Sequence, residues 1–182
     1  MPRHQAGLTL IELMIGIAVL AIVLTLAVPA FNTIIQTNRV AAQANNLSTG
    51  FAYARAEAIK RTNTVSICAR NPANNSCGND WAEGWVVFDN PTRANNPLAN
   101  SQLRIGESLP PGMSVTVITN NAPSPNIVHY ERLGDIFLNG PAPGFQFTLR
   151  LTPANCPEGR ENQREIDISR MGRTQVRAEE CD

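Results

Sequence analysis

Gly7-Leu-Thr-Leu-Ile-Glu-Leu-Met14 opens an apolar run on which the reading of the whole chain turns. No charged residue occurs from Leu13 to Asn38, and Leu13 to Val28 is almost wholly apolar. With Leu8 to Ile11 the run reaches about 20 residues, enough for a helix to cross a hydrocarbon core of roughly 30 Å. Arg3 and the partly charged His4 precede it. Positive charge on that side keeps it cytoplasmic and exports the remainder. Inside the run stands Glu12. An ionisable group in such a segment is costly and is read first as functional.

Three readings compete for this segment. A cleaved secretory signal is one, with Val28-Pro29-Ala30 as a small-residue cleavage site. A plain membrane anchor is the second, and neither gives Glu12 a purpose. The third comes from a resemblance. Gly7, Thr9, Leu10, Ile11 and Glu12 fall in step with the prepilin signature, with Leu8 where that family commonly has Phe. The resemblance implies cleavage by a prepilin peptidase after Gly7 and methylation of the new amino terminus at Leu8. Glu12 is then the fifth residue of the mature chain. Opposite charges in a low-dielectric medium attract strongly, whereas either alone is expensive. Glu12 can therefore meet the α-amine of a neighbouring subunit and set the axial register. Pro29 marks either a bend in the helix or a break at the membrane surface.

Beyond Pro29 the pattern turns amphipathic. Val40, Ala44, Leu47, Phe51, Ala54 and Ala58 recur in steps of four and three, one face of a helix, with Arg55, Glu57 and Lys60 among the polar residues between them. Glu57 and Lys60 read as solvated or as subunit contacts. A helix from Leu8 to about Lys60 runs roughly 80 Å. After it, Val65–Cys68, Gly84–Phe88, Ser114–Thr119, Asn126–Tyr130, Phe145–Leu151, Glu165–Ser169 and Thr174–Arg177 read as about seven strands, the last two a hairpin turning at Met171-Gly172. Arg70–Asn79 and Pro91–Asn100 read as loops.

Lys+Arg and Asp+Glu each total 15, so bulk charge points to neither nucleic acid nor an acidic partner. The four cysteines, Cys68, Cys77, Cys156 and Cys181, lack CxxC spacing, and only His4 and His129 supply imidazole. Two structural disulfides in an oxidising compartment fit better than a metal or redox site. Of the three possible pairings, Cys68–Cys77 with Cys156–Cys181 is the working choice. No cofactor, metal or catalytic constellation is expected. Trp81 and Trp85 read as core, and His129 as a strand residue without a nucleophile motif.

Tyr53-Ala-Arg-Ala-Glu-Ala-Ile-Lys60, Val65-Ser-Ile-Cys68, Trp81-Ala-Glu-Gly-Trp-Val-Val-Phe-Asp89 and Ile166-Asp-Ile-Ser-Arg-Met-Gly-Arg173 together resemble the GspH/FimT/FimU group of minor type IV pilins and pseudopilins. The resemblance implies an α+β, pilin-like fold: a long N-terminal helix on an antiparallel β-sheet head. It divides the chain into a leader (1–7), a membrane and filament-core helix (8–35) and a periplasmic head (36–182), itself helical over 36–61 and β-rich over 62–182. It implies a non-enzymatic minor pilin, held in the inner membrane before joining a pilus with other pilins. A pseudopilin of a type II secretion system is one alternative. A DNA-binding transformation pilin of the FimT kind is another, with Arg173 and Arg177 in place of a Gly-Arg-x-Arg motif and Arg150, Arg160, Arg164 and Arg170 as an extension. Against it, Cys156–Asp182 holds five arginines and seven acids, and DNA affinity rests mainly on phosphate neutralisation; the competing reading is a hairpin whose arginines pair locally with Glu165, Asp167, Glu179 and Glu180.

Overall fold

The computed structural model describes residues 9–119, 124–137 and 146–181, with side chains of 26 and 28–30 excepted. The expected processing residues Gly7 and Leu8 lie outside the described residues. One helix, α1 (Leu10–Arg61), is followed by β1 (Val65–Ala69), β2 (Trp85–Asp89), β3 (Gln102–Gly106), β4 (Ser114–Thr119), β5 (Ile127–Tyr130), β6 (Ile136–Phe137), β7 (Phe147–Thr152), β8 (Gln163–Ile168) and β9 (Thr174–Glu179). A short 3-10 turn, Trp81–Glu83, precedes β2 and is capped by Asp80, whose carboxylate accepts the Ala82 N–H at 2.8 Å.

The chain divides into two compact units, Met1–Gln36 and Thr37–Asp182. In the first, α1 passes through Pro29 without interruption, so of the two readings of Pro29 the helix break does not hold. Large apolar side chains from Leu10 to Leu24 are exposed. Among the described residues no helix is long and apolar enough to cross a membrane.

In the second unit the strands form two antiparallel sheets, ordered β3-β2-β1-β5-β6 and β4-β7-β8-β9. The expected head had one sheet and about seven strands. β3 and β6 are the additions. β6 has only two residues, and the burial of β3 does not alternate, its residues being exposed or half-buried up to Gly106. Neither carries the period-2 pattern by which a strand is recognised.

The six stripe residues of α1 are all buried, and one core contains them together with both sheets. The first sheet contributes Val65, Ile67, Trp85, Val87, Val128 and Tyr130; the second contributes Phe147, Leu149, Leu151, Ile166 and Ile168. Phe51 lies where the contributions meet, its ring 5.3 Å from Trp81 and 6.3 Å from Phe147, centroid to centroid. The Trp85 indole fills the space between Gly50 of α1 and Gly106 of β3. A Cβ at Gly50 would come within 2.9 Å of that ring, and one at Gly106 would collide with it.

α1 stops in a Schellman arrangement. Asn63 N–H donates to the Ala58 carbonyl (3.2 Å), Thr62 N–H to that of Ile59 (3.3 Å), and Thr62 takes φ 52°. This pattern satisfies the last orphan carbonyls of a helix. Glu57, expected to be solvated, is buried instead; it accepts from Arg61 Nε (2.7 Å) and Lys60 Nζ (3.3 Å). Truncating Phe51 to Ala removes the ring that packs on Trp81 and Phe147. We expect a loss of roughly 3–5 kcal/mol, measured by urea unfolding followed through tryptophan fluorescence.

Candidate functional site

Glu12 lies in the first turn of α1. Its backbone N–H donates to Thr9 Oγ1 (3.3 Å), and Leu13 N–H to the Thr9 carbonyl (3.2 Å). Thr9-Leu-Ile-Glu12 thus has the spacing of a capping box, with Thr9 as the N-cap. A carboxylate also sits favourably at this end of the helix dipole. The next described side chains are exposed aliphatics: Leu13, Met14, Ile15, Ile17, Val19 and Leu20. One acid therefore heads an unpartnered apolar helix, and the N-cap fixes where in the first turn that acid stands.

In the head, both cysteine pairs are joined, Cys68 to Cys77 and Cys156 to Cys181. The first lies on the outer face of the first sheet, where Cys68, Val86 and Phe88 form a small second core with Cys77 and Ile127 against it. The second ties the chain after β9 to the loop before β8. Each loop closure stabilises by roughly 3 kcal/mol in the chain-entropy account.

His129 faces the same outer layer. In register, Phe88, Ser66, His129 and Phe137 follow one another across β2, β1, β5 and β6. The Ala94 N–H donates to Asn90 Oδ1 (2.7 Å), which orients that amide so that Nδ2 donates to Ser66 Oγ (2.9 Å). Ser66 Oγ lies 2.7 Å from His129 Nδ1. Both Ser66 and His129 are fully buried, so the pair is a packed polar node beneath the surface. Burial, assisted by the nearby Arg93 charge, pushes the His129 pKa down to about 4.

The outer face of the second sheet carries the other charged cluster. Arg150, Glu165 and Arg177 are register partners across β7, β8 and β9. Glu165, almost fully buried, accepts from Arg150 Nε (2.7 Å) and from both Nε (3.0 Å) and Nη2 of Arg177. Arg177 Nε also lies 3.4 Å from Asp167. Burial alone would raise the Glu165 pKa; the hydrogen bonds from Arg150 and Arg177 overcome it and hold the carboxyl below its usual value. The expected cationic ridge is therefore altered. Arg173, Gln175 and Arg177 line one concavity, but Asp167 lines it too, and Arg177 is neutralised by Glu165 and Asp167. Arg173 keeps an exposed side chain that forms no ion pair among the described residues. Sequence spacing placed the arginines on one face without showing that Glu165 sits between two of them. Only the strand register supplies that.

A long N-terminal helix capped at an acid, with its second half packed under an antiparallel head, is the architecture of pilin-like subunits. The sequence profile of the family described as type II transport protein GspH matches residues 43–172, and the prokaryotic N-terminal methylation motif matches residues 2–28. The chain belongs to the GspH family, which takes in minor pilins and pseudopilins. Its fold is similar to that of the type IV minor pilin FimU of Pseudomonas aeruginosa, at 18% identity and TM-score 0.57, over 80% of this chain and 96% of that one. A second FimU crystal form gives TM-score 0.54 at 18% identity, over 78% and 98%. The minor pseudopilin EpsH of the Vibrio cholerae type 2 secretion system aligns at 13% identity and TM-score 0.49, over 77% and 97%. No curated protein sequence matches the chain.

Removing one partner of a buried ion cluster leaves the others uncompensated. Glu165→Ala strands two guanidiniums, one of them half-exposed, so we expect a loss of roughly 2–3 kcal/mol, below the fully buried range. Chemical denaturation at neutral pH measures it. Acid acts in two windows. His129 has a folded pKa of about 4 against 6.5 unfolded, so its contribution is complete above 6.5 and is lost as pH falls from 6.5 to 4. Glu165 and Glu57, both held below 4.5, withdraw their contribution only as pH falls through their folded values. The urea midpoint should fall between pH 6.5 and 4 in the wild type, and by less in His129→Gln.

Proposed function

We propose that this protein is a minor pilin: a structural subunit, not an enzyme, that is cleaved after Gly7, methylated at Leu8, held in the inner membrane by the helix over 8–35 and packed into a type IV pilus with other pilins. The observation that carries the reading is Glu12, fixed in the first turn of α1 by the Thr9 cap, ahead of a helix whose large aliphatic side chains have no protein partner. Exposed apolar area of this extent is unfavourable in water, at about 25 cal/mol per Å². It is compatible with lipid before assembly and with neighbouring helices afterwards. Between those apolar helices a carboxylate is stabilised by an opposite charge, and the methylated amine of Leu8 in another subunit supplies one.

The match to the methylation motif and the assembly of family members with other pilins into filaments support this reading. The likeness of fold to FimU and the paired cysteines of the head favour a pilus over a secretion pseudopilus. The protein isolated from cell envelopes should have an N-terminal mass beginning at N-methyl-Leu8. A chain beginning at Phe31 would make it a secreted domain. In Glu12→Leu, cleavage should persist while incorporation into sheared fibres, followed by immunoblot, falls at least tenfold. Undiminished incorporation would remove Glu12 from the mechanism.

A further inference from the structure

Between β2 and β3 the segment Asn90–Ser101 crosses the outer layer of the first sheet. It is held at its root, at its first bend and at its middle. At the root Asn90, almost wholly buried, donates from Nδ2 to Ser66 Oγ (2.9 Å) and to the Ala94 carbonyl (2.8 Å), and accepts the Ala94 N–H (2.7 Å). At the bend Arg93 reaches the β5–β6 turn. Its Nη2 lies 2.8 Å from Glu131 Oε1, and its guanidinium carbon stands 4.4 Å from the Phe137 ring centroid. At the middle, Asn96 Oδ1 accepts the Cys77 N–H (3.2 Å). Two non-glycine residues in the left-handed region, Arg93 (φ 53°) and Asn100 (φ 60°), bracket the crossing. Such backbone persists where surrounding contacts hold it.

Beneath this closure lies His129. Its ring is fully buried, with Nδ1 2.7 Å from Ser66 Oγ and Nε2 without a hydrogen-bond partner among the described residues. Phe137 packs on it, the ring centroids 6.4 Å apart, and Arg93 packs on Phe137. A neutral imidazole tolerates this seat whichever nitrogen carries the hydrogen. An imidazolium does not. Both nitrogens then donate, one N–H has no acceptor, and the cation lies under a second cation. Among the described residues no carboxylate compensates it. Glu131 is held by Arg93, and Asp89 at the end of β2 is turned toward Arg61 (3.9 Å). β1 and β6 present the uncharged Ser66 and Phe137. Arg93 is the sole charged residue from Asn90 to Ser101, so the segment itself brings no acid. Water reaches Nε2 once Phe137 and the guanidinium above it move aside.

We propose that Asn90–Ser101 is an acid-released strap: a proton on His129 unseats the Arg93 clasp and frees residues 92–100 from the outer face of the first sheet. Burial, assisted by the Arg93 charge, holds the His129 pKa at about 4 in the closed head, against 6.5 for an exposed ring. The closed form therefore binds the proton more weakly than the open one. Opening is favoured progressively as pH falls from 6.5 to 4 and levels off below. Linkage over that span multiplies the opening constant on the order of a hundredfold. The strap contributes no residue to the main core, so it opens as a local unit while the head stays folded. The device belongs to the head alone and does not depend on which assembly the head joins.

Hydrogen exchange of the full-length chain in detergent micelles, read by mass spectrometry and corrected for the intrinsic rate at each pH, tests it. Peptides over 90–101 should lose protection by roughly tenfold or more between pH 6.5 and 4, while those over β7 keep theirs. In His129→Gln the protection of the strap should not vary across that window. Linkage is reciprocal, so Arg93→Gln, which removes the clasp, should raise the His129 titration by about a pH unit or more, followed by NMR of the ring protons. That measurement keeps the native histidine, so poor folding of His129→Gln leaves the test intact. Unchanged strap protection, an equal loss in His129→Gln, a loss shared by β7, or a His129 titration indifferent to Arg93 would each overturn the proposal.

Discussion

One helix face has to serve two sheets, and the packing of the head follows from that constraint. The α1 stripe between Val40 and Ala58 mixes four small or medium residues with Leu47 and Phe51. Phe51 packs where Trp81 and Phe147 converge, and because interiors are packed as densely as organic crystals a ring at that point leaves little freedom to its neighbours. Arg55, one turn further on, contributes a polar join. It reaches the Gly134 carbonyl and lies against Gly172, so that a turn from each sheet is tied to the same helical residue.

Polar groups inside the head are handled by pairing. Glu57, Glu165 and His129 are all buried; Glu57 is joined to Lys60 and Arg61 of its own helix, and Glu165 and His129 to partners that neighbouring strands provide. Such clusters add little stability compared with an apolar replacement, but they are costly to break, so they favour one arrangement of the strands. The Arg150–Glu165–Arg177 row has a functional consequence as well. A guanidinium already held by two carboxylates is a poor phosphate ligand, so the free positive charge of the head shifts from the β9 face to the turns at Arg132, Arg170 and Arg173.

The N-terminal unit obeys a different rule. Its aliphatic side chains are exposed along the described helix, and nothing within that unit buries them. A folded soluble domain would hide such area. In the minor-pilin reading proposed above it is the surface on which lipid or other helices act. In the reading proposed above Glu12 follows the same logic in reverse, its charge acquiring a partner when a second chain is present. For this unit the environment completes the energetics that a core completes in the head.

Much of this was legible in the residues alone. The apolar run with Glu12 near its start, the spacing of the α1 stripe, the turn at Met171-Gly172 and most strands declare themselves because period and composition are local properties of a chain. The placement of Trp81, Trp85 and the stripe in the core follows from the same patterns. β3 and β6 were not legible, one for want of alternation and one for want of length. The division of the strands into two sheets, the seating of Glu165 between two arginines, the Ser66–His129–Asn90 node and the meeting of the turns at Gly134 and Gly172 depend on register and on contacts between residues far apart in sequence. Local propensity carries no information about those, because which strands pair is decided by the burial that the whole fold achieves.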